Sequence, residues 1–139
     1  MIVVDASAVI AILFGEAAAQ MLVARLASDT DRVISVASYI EAGTVLAGRR
    51  QTERTRAIDD LDRFLEEAEI QLAPVDAAQA RLALRARIVH GRGMGHGGLL
   101  NFGDCFSYAL AKALEAPLLF IGQHFTATDL TSALAPNSR

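Results

Sequence analysis

Tryptophan is missing from this chain, lysine occurs once, as Lys112, and cysteine once, as Cys105. A lone cysteine excludes a disulfide framework within the chain. It also leaves His90, His96 and His124 without any pair at structural-zinc spacing. No excess of positive charge is present: the formal net charge is −3, so the molecule as a whole is not an electrostatic nucleic-acid binder. No apolar run approaches the ~18 residues of a membrane span. The stretch Ala6 to Phe14 is apolar and is followed by Ala17-Ala18-Ala19, but Asp5 interrupts it and no basic residue precedes Arg25. A secretory signal is therefore rejected, and the expected compartment is the cytoplasm, with no membrane attachment.

What is present is a chain of 139 residues, 53% of them hydrophobic, long enough for one domain with a full core. The reading is a single domain over 1–135 and a tail from Pro136 onward, 136–139. The apolar surplus is high for a monomer and is available to cover an interface.

In order, Ile2-Val3-Val4 reads as a buried strand ending at Asp5. Asp5-Ala6-Ser7 opens a helix that closes near Gly15, and a second helix covers 16–27 with Met21, Leu22 and Leu26 inward. Val33 to Val36 is a second buried strand. Ser38 and Glu41 have capping-box spacing and open a third helix to about Arg50. A fourth helix runs over 55–68, with Ile58, Leu61 and Leu65 on its apolar side. Ile70 to Leu72 is a strand stopped by Pro74. Asp76 caps a fifth helix, 77–90, with Leu82, Leu84, Ile88 and Val89 inward. A glycine-rich loop from Gly91 to Gly98 leads into a sixth helix, where Phe102, Phe106, Leu110 and Leu114 recur at helical spacing. Pro117 to Gly122 is another strand, and a last short one follows Leu130. Strands alternating with helices imply a parallel sheet covered on both faces.

Three carboxylates stand out against this apolar pattern. Functional groups of open α/β sheets gather beyond the carboxyl ends of the strands, and Asp5 ends the first strand. Glu41 lies in the first turn after the second, and Asp104 opens the sixth helix. Each also has a capping explanation: Asp104 as a helix-start acid, Glu41 as the closing residue of a capping box. Converging on one edge, they would repel one another and need a cation. Hard oxygen ligands with few other donors select Mg²⁺ or Mn²⁺, at Asp5 and Asp104 first. Such an ion activates water and stabilises a phosphate under in-line attack, which points to metal-dependent phosphoryl chemistry.

Gly93-Met-Gly95-His-Gly97-Gly98 matches a dinucleotide fingerprint, but a helix rather than a strand precedes it, so it reads as a flexible loop. Arg49, Arg50, Arg54 and Arg56 form the densest basic run; Arg49 and Arg50 are the candidate RNA contacts, against solvated helix ends.

The segments Met1 to Ala8, Ser38 to Glu41, and Asn101-Phe-Gly-Asp104-Cys-Phe-Ser-Tyr-Ala-Leu-Ala-Lys112 resemble the acidic motifs of the PIN-domain ribonucleases, in order and across nearly the whole chain. The resemblance is greatest to the VapC-type toxins of bacterial toxin–antitoxin pairs. It implies a three-layer α/β/α fold with a central, mostly parallel sheet of four to five strands. It further implies an Mg²⁺- or Mn²⁺-dependent endoribonuclease holding its metal with Asp5, Glu41 and Asp104, a homodimer, and a small cognate antitoxin in the active-site groove. Ser7 is similar to the small hydroxyl residue of the first motif, a support for a metal ligand or water, or simply a helix N-terminal serine.

The chain departs from the family at Gly122-Gln123-His124-Phe125, where an acid is expected at the position of His124. Asp129 matches a further family acid and is the expected catalytic replacement, while His124 is a supporting residue toward phosphate or Mn²⁺, or a loop histidine. The alternative function is a catalytically weakened module of the same fold that binds RNA or a partner.

Overall fold

The computed structural model describes residues 1–134. The expected tail, 136–139, lies outside the described residues, as does residue 135 of the expected domain. The elements run β1 (Ile2–Val4), α1 (Ala6–Leu13), α2 (Ala19–Ala27), β2 (Arg32–Ser35), α3 (Val36–Gly48), α4 (Arg56–Glu67), β3 (Ile70–Ala73), α5 (Ala77–His90), α6 (Asp104–Leu114) and β4 (Leu118–Leu119). The four strands form one sheet in the order β3-β2-β1-β4. Every pairing is parallel, with Val3 opposite Val33 on one side and Leu118 on the other. The expected strand after Leu130 is reduced to one isolated bridge, between Leu118 and Ser132.

The alternation of side chains along a strand splits β1 between two cores. Ile2 and Val4 join Val9, Leu22, Ile34, Leu61 and Leu65 beneath α1 to α4. Val3 joins Ala83, Ala86, Cys105, Leu110 and Leu118 beneath α5 and α6. β4 divides in the same way, Leu119 facing the first core and Leu118 the second. The three layers follow from this division.

Several inward assignments are corrected. Leu84, Ile88 and Val89 of α5 are exposed, as are Met21 of α2 and Ile58 of α4. Helix α5 instead buries Gln79, Ala83 and Ala86, because small residues let it approach α6 closely while the long ones point outward. Helix α6 begins only at Asp104, so Phe102 precedes it and is 73% exposed.

Helix α3 also starts earlier than expected. Ser35, the last residue of β2, accepts a hydrogen bond from the Ala37 amide and is the N-cap. Ser38 therefore lies inside the helix and Glu41 in its second turn; no capping box forms.

Candidate active site

At the carboxyl end of β1 the chain passes into α1 without a loop, and Asp5 serves both elements. Its amide donates to the Leu119 carbonyl of β4, at 2.9 Å. Its carboxylate Oδ2 accepts the Ser7 amide at 3.0 Å, capping α1. Its Oδ1 accepts the Ser107 hydroxyl of α6 at 2.5 Å. Ser107 Oγ lies 2.9 Å from Ser38 Oγ of α3. A hydroxyl has one proton, and Ser107 gives its own to a group that only accepts, so Ser38 donates to Ser107. Both serines are fully buried, and Asp5 is 3% exposed. Both oxygens of Asp5 are thus fixed by donors from its own helix and from α6. Ser107 and Ser38 were missed as site residues; the available signal was a serine pair one turn from each acid, on the same helix faces as Asp104 and Glu41.

Asp104 starts α6 after Gly103, which offers no side-chain cap. Its Oδ2 accepts the Asn101 amide at 2.9 Å and lies 2.8 Å from Nδ1 of His124. Burial raises its pKa, the Asn101 amide opposes this, Asp5 adds to the rise, and His124 lowers it.

Glu41 reaches the same place from α3. Its Oε1 is buried and has no hydrogen-bond partner. Burial first, then the charges of Asp5 and Asp104, push its carboxyl up to about 7, with His124 opposing. Its carboxylate lies directly against Gly103, and a larger residue there would force the Glu41 side chain to shift. A Cβ there would stand 2.7 Å from Glu41 Oε1, closer than a non-bonded contact allows.

Together these groups line one cleft of about 180 Å³, with Asp5, Ser7, Glu41, Asn101, Asp104 and His124 around it. Ser7 turns its hydroxyl oxygen to the Ile121 amide at 3.1 Å, which ties the segment after β4 to the start of α1. Among the described residues, no three Asp, Glu, His or Cys side chains already close on a common point as a metal cluster. The donor set still suits a hard divalent ion: three carboxylates, one of them with a buried and unbonded oxygen. Mg²⁺ in particular is held by one or two carboxylates while keeping several waters. Cys105, next in the chain, is buried with its thiol pushed up to about 11 by burial and by Asp104, so it is not a nucleophile.

The PIN domain family model matches residues 2–129. Ribonuclease VapC28 of Mycobacterium tuberculosis is 47% identical over 132 residues, covering 95% of this chain and 97% of that protein. Ribonuclease VapC42 of the same species is 42% identical over 131 residues, covering 94% and 98%. The chain belongs to the PIN-domain family, among the VapC ribonucleases. Solved structures agree in fold. The sarcin-ricin loop cleaving toxin VapC20 of Mycobacterium tuberculosis superposes with a TM-score of 0.75 at 19% identity, over 98% of this chain and 100% of that one. VapBC2 of Rickettsia felis, bound to a DNA fragment from its promoter, gives 0.69 at 18% identity, over 95% and 96%.

Against the PIN-domain expectation, the structure brings Asp5, Glu41, Asp104, Ser7 and His124 together but leaves Asp129 out. Asp129 accepts from the Tyr108 hydroxyl at 2.6 Å and from Lys112 Nζ at 2.9 Å, further along α6. Lys112 first, and Tyr108 next, hold its carboxyl down to about 2, and it lines a separate cavity with Lys112 and Glu115. It ties the segment after His124 to α6 and does not line the cleft of the three acids. Arg49 and Arg50 are also placed elsewhere. Arg50 pairs with Asp60, and Arg49 lies 4.1 Å over the Phe14 ring, both lining another cavity.

Proposed function

We propose that this chain is an endoribonuclease toxin of a toxin–antitoxin pair, acting in the cytoplasm and dependent on Mg²⁺ or Mn²⁺. The observation that carries the metal is the cleft where Asp5, Glu41 and Asp104 meet, with a buried Glu41 oxygen that no protein donor satisfies. Asp5 and Asp104 would hold the ion, directly or through water, with Glu41 beside them. When bound, the ion would supply a more acidic water and offset the charge that develops on the phosphodiester.

The chain's own residues supply the rest. Ser107 and the Ser7 amide hold the Asp5 carboxylate fixed in direction. The Glu41 carboxyl, pushed up to about 7 mainly by burial, is the group that would accept a proton from attacking water. His124, hydrogen-bonded to Asp104 at the rim, stands where a negative phosphate oxygen would approach. Cleavage of an RNA probe should need Mg²⁺ or Mn²⁺ and should disappear in Asp5→Asn and Asp104→Asn proteins. Titration calorimetry with Mn²⁺ should show binding to the wild type that weakens in both. Cleavage persisting in both variants would reject the reading.

The dimer is supported by the apolar strip of Leu84, Ile88 and Val89 along exposed α5, which one copy alone leaves in water. Light scattering should give twice the 14.8 kDa chain mass, and Ile88→Glu should return it to one chain. The antitoxin partner rests on relatives and fold neighbours, and co-purification with the product of an adjacent gene tests it.

A further inference from the structure

Resting on the ribonuclease reading, we infer that Phe102 and Arg92 form a docking surface for single-stranded RNA at the lip of the cleft. There one base stacks on the Phe102 ring and the adjoining phosphate meets the Arg92 guanidinium. Phe102 is 73% exposed, more than any other large hydrophobic residue described. Only Gly103 separates it from Asp104. Its ring is not loose: it rests edge-to-face on Phe106, with centroids 5.1 Å apart. A broad aromatic face is thereby held in water, on the residue between Asn101, which lines the cleft, and Gly103, against which Glu41 packs.

Arg92, at the start of the glycine-rich loop, meets Asn101, the residue before Phe102. Its Nε donates to the Asn101 side-chain oxygen at 3.3 Å, while the Asn101 amide donates to Asp104 Oδ2 at 2.9 Å. Asn101 is thus a two-sided bracket between Arg92 and the cleft. The loop is anchored where it leaves α5 and where it returns: the Arg92 amide bonds the Leu100 carbonyl and the Leu100 amide bonds the His90 carbonyl. Among the described residues no carboxylate pairs with Arg92, whereas Arg25, Arg50 and Arg56 each have one.

Charge selects the occupant. A cleft lined by three carboxylates repels a polyanion, so RNA needs a cation nearby whose charge is not already spent. Arg49 and Arg50, the arginines favoured by sequence, are engaged elsewhere. Sequence-tolerant recognition of single strands pairs stacking on aromatic rings with cations along the backbone, and Phe102 with Arg92 is that combination. An apolar peptide could also cover Phe102, so the test separates the two.

The probe is a fluorescein-labelled, mixed-sequence RNA 12-mer bound to full-length Asp104→Asn protein, with fluorescence anisotropy as the readout. Phe102→Ala in that background should weaken binding about tenfold, Phe102→Leu by a similar factor, and Phe102→Trp little, because stacking needs a ring. Arg92→Ala should weaken binding and flatten the log–log salt dependence by about 0.7, the value for one phosphate contact on a single strand. Phe102→Leu binding RNA as well as Phe102→Trp overturns stacking, and an unchanged salt slope overturns the phosphate contact. If every Phe102 variant keeps RNA affinity but loses the co-purifying partner, the surface belongs to a protein and the inference is wrong. Failure of the Asp104→Asn protein to bind RNA, together with no cleavage by the wild type, rejects the ribonuclease reading on which the inference stands and the inference with it.

Discussion

Glu41→Gln should make the metal-free protein more stable at neutral pH while abolishing cleavage. The carboxyl ordinarily ionises near 4.5 and in the fold near 7, raised by burial, then by Asp5 and Asp104. The folded state therefore holds this proton more tightly than the unfolded one. Stability from the protonated form is complete below pH 4.5 and is lost as pH rises towards 7, since the unfolded chain ionises freely and the folded chain does so at a cost. At about 1.4 kcal/mol per unit the full cost is roughly 3 kcal/mol, and solvent access through the cleft mouth reduces it to about 2 kcal/mol. Glutamine has the same shape and no charge to lose. Urea unfolding in EDTA should give nearly equal midpoints for the two proteins at pH 4.5. By pH 8 the variant should lead by about 2 kcal/mol, and above that the gap should stay constant. Mn²⁺ should then narrow the gap, because an ion bound only to the folded state stabilises the wild type more. A gap independent of pH would show that Glu41 does not titrate inside the cleft, and the argument would fail.

Gly103→Ala should reduce cleavage more than tenfold with little loss of fold stability, since the added methyl displaces only Glu41; kinetics beside thermal melting checks both. Ser107→Ala should cost about 1.5–3 kcal/mol of stability, the value of a buried hydrogen bond to a charged group, and should weaken Mn²⁺ binding, with Ser107→Thr restoring part of the affinity by calorimetry. His124→Asp should raise Mg²⁺-dependent cleavage several-fold, while Asp129→Asn leaves the rate in either metal unchanged. Asp129 is instead an acid-stability group. Its depressed pKa stabilises the fold above pH 3.8, and that contribution is lost as pH falls towards about 2, so Asp129→Asn should flatten this part of the acid melting curve.

The order of elements was readable because strand and helix periods alternate cleanly, and because Asp5 and Asp76 are caps whose chemistry is local. Glu41 and Asp104 were readable as a pair with Asp5 since each follows a strand or opens a helix at the same sheet edge. Three things were not. Which face of α5 is buried depended on the small residues facing α6, and a hydrophobicity pattern rewards the larger Leu84 and Ile88 instead. Asp129 and His124 compete for one role within six residues, and only tertiary geometry separates a carboxylate tied to Lys112 from an imidazole at the cleft. The serine pair behind Asp5 joins residues 38 and 107, a contact between two helices that no local spacing encodes.

The position of β4 at the sheet's edge beside β1 bears on when activity first arises during synthesis. Asp5 and Glu41 leave the ribosome early. The amide of Asp5 has no carbonyl to bond until Leu119 has been made, and its carboxylate has no Ser107 until α6 docks. Asp104 arrives on that same helix. A growing chain therefore carries two of its three acids for most of translation without a cleft to hold them. The cleft that the three acids share is completed only after Leu119 has been made, so these groups stay apart until late in the chain's synthesis.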